Sequence, residues 1–510
     1  MSAAVERLPR LRARTSTDRA DGEGPAPVVN PSPGRPLPAS GNLTGLNVHA
    51  PSILLPLRFM ITGLLALCAS VVLLLVRPEM LATYHYNQYV IAVTHLFVLG
   101  WICTIVMGAM YQLVPVALET KLYSERLARW QFVLHLLGFS GMVWMFWTWN
   151  MKQVGHFGSV LVLGVSLFVY NIFRTLLRVP RWNHIATAVV SALAWLLVAV
   201  FAGLTIAAGK SSFDSSSPLT SGGVVAALIH GVQTLAGVAT RFDAISAMHA
   251  HAHLGVIGVF IMLIVGLSYK LVPMFALSEV QNSRRALASI VLLNTGLLAS
   301  FLAILMRSRF KPLCALLVIC ALVLYGLELK AILHARKRRN LDWGVKYFLT
   351  SIALLGLLSL LGLVLSWPTL PLTIFTGQLE NLYGFLAIVG VISFAIIGML
   401  YKIFPFLVWY RSYSRRIGLQ KVPALSDLYS PRLQAAGYYS FVAGLGMVSL
   451  AIVLSNAALA RWGTALLVAS LGVFAINVLK MLRHLLSPQT QPLNTQPLAK
   501  GLASGSIAQP

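Results

Sequence analysis

Residues 95–115 read HLFVLGWICTIVMGAMYQLVP, residues 253–273 read HLGVIGVFIMLIVGLSYKLVP, and residues 385–405 read FLAIVGVISFAIIGMLYKIFP. Counted from its first residue, each stretch has Gly at +5, Gly at +13, Tyr at +16 and Pro at +20. Four spacings kept three times over mark an internal repeat. As a helix, each stretch rises about 30 Å, one hydrocarbon thickness. At about 100° per residue, the shared positions fall at roughly 140°, 220°, 160° and 200°. They form one stripe, whose glycines let a neighbouring helix approach closely. The zero position faces the opposite way, toward a separate compartment, and is filled by His95, His253 and Phe385.

The rest of the chain fits this unit. Of 510 residues, 57% are hydrophobic and only 10% are charged, well under the roughly 25% charge of soluble chains. The apolar residues gather in twelve blocks: 53–76, 89–117, 126–148, 154–177, 184–209, 249–274, 285–306, 312–335, 346–368, 381–410, 432–455 and 459–484. Each is long enough to span a bilayer as a helix, and none alternates as a barrel strand does. The three related stretches are blocks two, six and ten, so the repeating unit is four helices long. The expected fold is an all-α integral membrane protein of about twelve transmembrane helices in three pseudo-symmetric four-helix arcs. The repeats run over about 53–179, 184–337 and 346–485. A disordered basic tail (1–48) precedes this membrane domain (49–485), and a disordered tail (486–510) follows it. The basic tail lacks the apolar core of a secretory signal and reads as a topology determinant or a contact for anionic lipid. The segment Gly222–Thr240, carrying His230 and Gln233, reads as an interfacial or re-entrant helix.

A net charge of +25 suggests nucleic acid, but its placement points to topology. Arg and Lys cluster in the leading tail, at 174–181, at 336–339 and at 411–421, whereas the alternate loops are poor in them. The loop with Arg307, Arg309 and Lys311 is the exception. Positive loops favour the cytoplasmic side, so both termini are expected there, in a bacterial inner (plasma) membrane with no nucleic-acid partner. Cys68, Cys103, Cys314 and Cys320 lie singly inside blocks and are spaced for neither zinc nor disulfides.

Histidines carry the chemistry. His49, His184, His334 and His484 fall in tails or at helix ends, where solvation explains them. His135 and His156 are isolated, and a bond to a backbone carbonyl accounts for a lone intramembrane imidazole. His85 and His230 lie in outer loops. His95 and His253 differ, because they occupy equivalent positions at equal depth; two converging imidazoles can clamp an iron. His251 and His253 point about 160° apart and can serve two cofactors, one on each side of their helix. His249 shares a face with His253 and is a further, weaker ligand candidate.

These residues resemble subunit I of the haem-copper oxidases, including cbb3-type cytochrome oxidases and nitric oxide reductases. That family has twelve helices in three arcs, a low-spin haem histidine on one helix and a His-x-His on another. The resemblance implies His95 and His253 as the axial pair of a haem b, with His251 as the proximal ligand of a second. It implies O2 or NO as ligand, cytochrome c or other respiratory subunits as partners besides membrane lipid, and, if the chain is an enzyme, an oxidoreductase of the cytochrome c oxidase or nitric oxide reductase type. Two departures matter. The His-x-His stands on the sixth block rather than the tenth, where Asn381, Tyr383 and Phe385 stand. The seventh block has no histidine for a copper site, so copper is not expected. Two other readings fit the pattern: a cofactor-free transporter or structural subunit on the same fold, and a nitric-oxide-response protein similar to the NnrS family. No Cys-x-x-Cys-His occurs, which argues against covalently attached haem.

Overall fold

The computed structural model describes residues 52–210, 237 and 241–492, all within one unit, Leu46–Pro510. Twelve long helices run through it: α1 (Leu54–Val76), α2 (Gln88–Ala117), α3 (Glu125–Trp147), α4 (Met151–Leu176), α5 (His184–Lys210), α6 (Ala244–Ala276), α7 (Ser283–Leu305), α8 (Lys311–His334), α9 (Trp343–Leu365), α10 (Ile374–Arg416), α11 (Pro431–Val453) and α12 (Ala457–Leu486). The basic tail, His49, His230 and the segment Gly222–Thr240, apart from residue 237, lie outside the described residues. Helices α6 and α10 start earlier than their apolar blocks, at Ala244 and Ile374, because turns capped by Asp243 and Thr373 and interrupted by polar residues precede the hydrophobic run.

Among the described residues, eleven helices are long and apolar enough to cross a membrane. The helix that falls short is α3, although its 23 residues match α1 in length. Its polar side chains are turned inward. Gln131 and His135 are buried, Gln131 accepts from Tyr111 Oη (3.2 Å), and His135 Nε2 meets Thr104 Oγ1 (2.9 Å) and the Leu99 carbonyl (3.2 Å). Large apolar side chains such as Leu65, Trp144, Leu360 and Trp462 face outward, as lipid-exposed residues do. Lipid gives helices no hydrophobic reason to associate, so close packing and interhelical hydrogen bonds must hold the bundle together.

Those devices recur at matching places. The second glycine of each repeat packs on the first helix of its own unit: Gly108 on Phe59 of α1, Gly266 on Ala188 of α5, and Gly398 on Gly344 and Tyr347 of α9. The first glycine sits among neighbouring helices, Gly100 between Ala66 and Phe139, Gly258 between Trp195 and Leu297. At the other side of each unit, a side chain of the fourth helix caps the third. Asn171 Oδ1 accepts Ser124 N–H (3.0 Å), Glu328 Oε1 accepts Gln281 and Asn282 N–H (2.7 and 2.9 Å), and Asn477 Oδ1 accepts Ser430 N–H (2.9 Å). The third helices also end alike. Trp149, Arg307 and Ser455 take positive φ (56°, 51° and 50°), and the next residue's N–H bonds five residues back, to Met145, Ala303 and Ala451, as in a Schellman turn. Each unit abuts the next, α4 on α5, α8 on α9 and α12 on α1.

A Cβ on Gly108 would lie 2.4 Å from Phe59 Cβ, and one on Gly266 2.2 Å from Ala188 Cβ. Gly108→Ala and Gly266→Ala are therefore expected to cost about 1–3 kcal/mol through overpacking. Gly472→Ala, where a Cβ meets nothing within 4 Å, is expected to be neutral or stabilising. Thermal unfolding of the three variants in detergent checks the ranking.

The three repeat helices are not α-helical throughout. Each carries an eight-residue π-helical segment: Leu96–Cys103, Leu254–Ile261 and Leu386–Ser393. Each segment begins directly after His95, His253 or Phe385. π-Segments are rare and gather at functional sites. They widen each helix at its zero position, where the segments of α2 and α6 both touch that of α10. Trp101 Nε1 donates to Ser393 Oγ (2.9 Å) across one of these contacts.

Candidate functional site

A cavity of about 610 Å³ lies around the three π-containing helices, within the range of ligand sites. His95, His249, His251 and His253 all line it, as do His85, Tyr383 and Phe385. Its walls divide about α6. On one side stand Phe146 of α3, Leu161 of α4 and Gly203 of α5; on the other, Val318 and Leu322 of α8 and Gly362 of α9.

His95 Nδ1 lies 2.8 Å from the Ile91 carbonyl, and His253 Nδ1 lies 2.8 Å from the His249 carbonyl. A carbonyl only accepts, so Nδ1 carries the proton in both rings and Nε2 offers its lone pair. This is the arrangement that orients a metal-ligating imidazole. The bonds follow from helical spacing, since each ring reaches back one turn to residue i−4. His95 stacks on Phe146 (ring centroids 4.6 Å apart), which fixes its plane against α3.

His251 lies against α5. Its ring is so close to Gly203 that a Cβ there would be 2.9 Å from its Cε1. Its Nδ1 is buried without a hydrogen-bond partner. His253 faces the other side. Its ring stacks on Tyr383 (5.8 Å, 22°), its Nε2 is 3.4 Å from Tyr383 Oη, and Tyr383 packs against Gly362 of α9. The divergence of His251 and His253 follows from their two-residue spacing. On α6 the two rings look onto different neighbours, His251 onto Gly203 of α5 and His253 onto Tyr383 of α10.

His249 points to the outer end of the cavity. Its Nε2 lies 2.9 Å from His85 Nε2, and one ligand atom each from His85, His249 and Glu380 fall within 4.8 Å of one another. Burial holds the His85 imidazole below its usual value, so it stays neutral. Tyr84, whose hydroxyl donates to Glu380 (3.2 Å), is pushed up to about 12 by burial and then by that carboxylate. Lys210, Arg307 and Lys311 also line the cavity. His156 bonds Gln153 in its own helix (3.2 Å), and His135 is bonded inside the bundle through Nε2 alone, its Nδ1 buried without a partner.

Sequence reasoning gave Tyr383, Asn381 and Glu380 no role. The repeat register held the signal, since Asn381 and Tyr383 stand at −4 and −2 from Phe385, as His249 and His251 do from His253. The donor set suits haem: a His95 Nε2 lone pair, a buried His251 Nδ1 without a partner, mostly apolar walls, and cations for a macrocycle's carboxylates.

Residues 43–154 match the family described as cytochrome C and quinol oxidase polypeptide I. The match takes in α1 to α3 and His95. No curated protein matches the chain.

Proposed function

We propose that this multi-pass membrane protein belongs to the haem-copper oxidase subunit I superfamily, binds haem b non-covalently and serves respiratory electron transfer or the binding of O2 or NO. The observation that carries this reading is that His95 and His251 line one mostly apolar cavity, with His95 Nδ1 tied to its own helix so that its Nε2 offers a lone pair. In this reading His95 and His251 would hold one haem iron, and His253, beside Tyr383, would hold a second, where a diatomic molecule would bind. Haem iron bound here supplies one-electron exchange and, where a position is open, a site for such a ligand.

The chain's own residues do the rest. Ile91 O and His249 O fix the tautomers, Phe146 orients the His95 ring, and Leu161, Val318 and Leu322 keep water from the site. Arg307 and Lys311 offset the carboxylates. Cytochrome c or another respiratory subunit is the proposed electron partner. A pyridine-haem assay and a reduced-minus-oxidised spectrum of the purified protein test the proposal. Haem b with an α-band supports it; protein without haem overturns it and favours the cofactor-free reading.

A further inference from the structure

We infer that His85, His249 and Glu380 form a second metal site, for a zinc-class divalent ion, which staples the α1–α2 connection, α6 and α10 together at the outer end of the cavity. The site does not depend on haem. Its hydrogen bonds fix its chemistry. Asn381 Nδ2 donates to the Thr83 carbonyl (2.7 Å) and to Gln378 Oε1 (2.9 Å). The orientation of the amide is thereby set, and Oδ1 is the atom that faces His85. Oδ1 accepts the His85 backbone N–H (3.0 Å) and, at 2.9 Å, the Nδ1 proton of the His85 ring. His85 Nε2 therefore carries a lone pair, and it is aimed at His249 Nε2.

Without a metal, His249 must supply a proton to that contact. With one, His249 takes the Nδ1–H tautomer and both Nε2 lone pairs become ligands. Two nitrogens on a tetrahedral zinc, with Zn–N of about 2.0–2.1 Å, stand about 3.3 Å apart. The present 2.9 Å needs a separation of only a few tenths of an ångström. Glu380 completes a His2Glu donor set with a position open to water, and Tyr84 orients its carboxylate. Asn381 is the outer residue that holds a ligand's tautomer, the role in which substitutions weaken metal affinity 10–100-fold. The His249 carbonyl also accepts from His253 Nδ1, so an ion here braces the backbone that orients His253.

Chelator-stripped, purified full-length protein is titrated with Zn2+ by equilibrium dialysis, with haem content read in the same samples. The expected result is one zinc per chain beyond any bound by the double variant His85→Ala/Glu380→Gln. Asn381→Ala, which keeps all three ligands, is expected to bind about 10–100-fold more weakly, and His156→Ala as wild type does. Co2+ should give the d–d bands of a tetrahedral site in wild type and not in the double variant. Zinc bound equally by wild type and the double variant, or by neither, overturns the inference. Haem content decides the haem proposal separately.

Discussion

His95→Ala and His251→Ala are each expected to strip the low-spin haem from the purified protein, lowering its occupancy at least tenfold. Outer partners of a metal ligand alone are worth about 10–100-fold in affinity, and removing the ligand itself costs no less. His95 has no substitute within its helix, because Ile91 and Val93 stand where α6 has His249 and His251. His253→Ala should leave the low-spin haem in place and alter the binding of CO or NO to the reduced protein. The two outcomes differ because His251 and His253 face opposite sides of α6, toward Gly203 and toward Tyr383. Haem per chain and CO-difference spectra of the three variants check this. Loss of the low-spin haem in His253→Ala but not in His251→Ala would restore the pairing implied by the family resemblance.

Glu328→Ala is expected to be the most damaging substitution away from the cavity. Glu328 is fully buried, accepts two backbone N–H groups at the start of α7, and lies 3.5 Å from Arg285. Removing it leaves two donors unpaired and a cation without its partner, a loss of about 3–5 kcal/mol. The other two units perform the same capping with neutral amides, Asn171 and Asn477. Glu328→Gln keeps an acceptor in place and should therefore recover most of the loss. Thermal unfolding in detergent gives the comparison, and equal stability of the Ala and Gln variants would contradict this account of the cap.

The all-helical fold was legible because its signals are periodic and local. Long apolar blocks, alternating loop charge and the Gly-Gly-Tyr-Pro spacing each survive reading one residue at a time. The spacing also located the cavity, since His95, His253 and Phe385 all line it. The π-segments were not legible. Nothing in LFVLGWIC, LGVIGVFI or LAIVGVIS departs from ordinary apolar helix, and they occur where α2 and α6 each touch α10. The caps by Asn171, Glu328 and Asn477 were missed because each joins residues 46 or 47 apart, a separation no helical or strand period reaches. The proposed pairing of His95 with His251 depends on which helices flank α6, and the proposed ligand role of His85 depends on Asn381, nearly three hundred residues away. Contacts of that kind are set by how the helices assemble around the cavity.

The central claim is that His95 and His251 hold one iron between them. The most direct measurement is the electron paramagnetic resonance spectrum of the oxidised protein, wild type beside His251→Ala. A low-spin ferric signal in wild type, replaced by a high-spin signal or lost with the haem in His251→Ala, is the predicted result. A low-spin signal that persists unchanged in His251→Ala would contradict it.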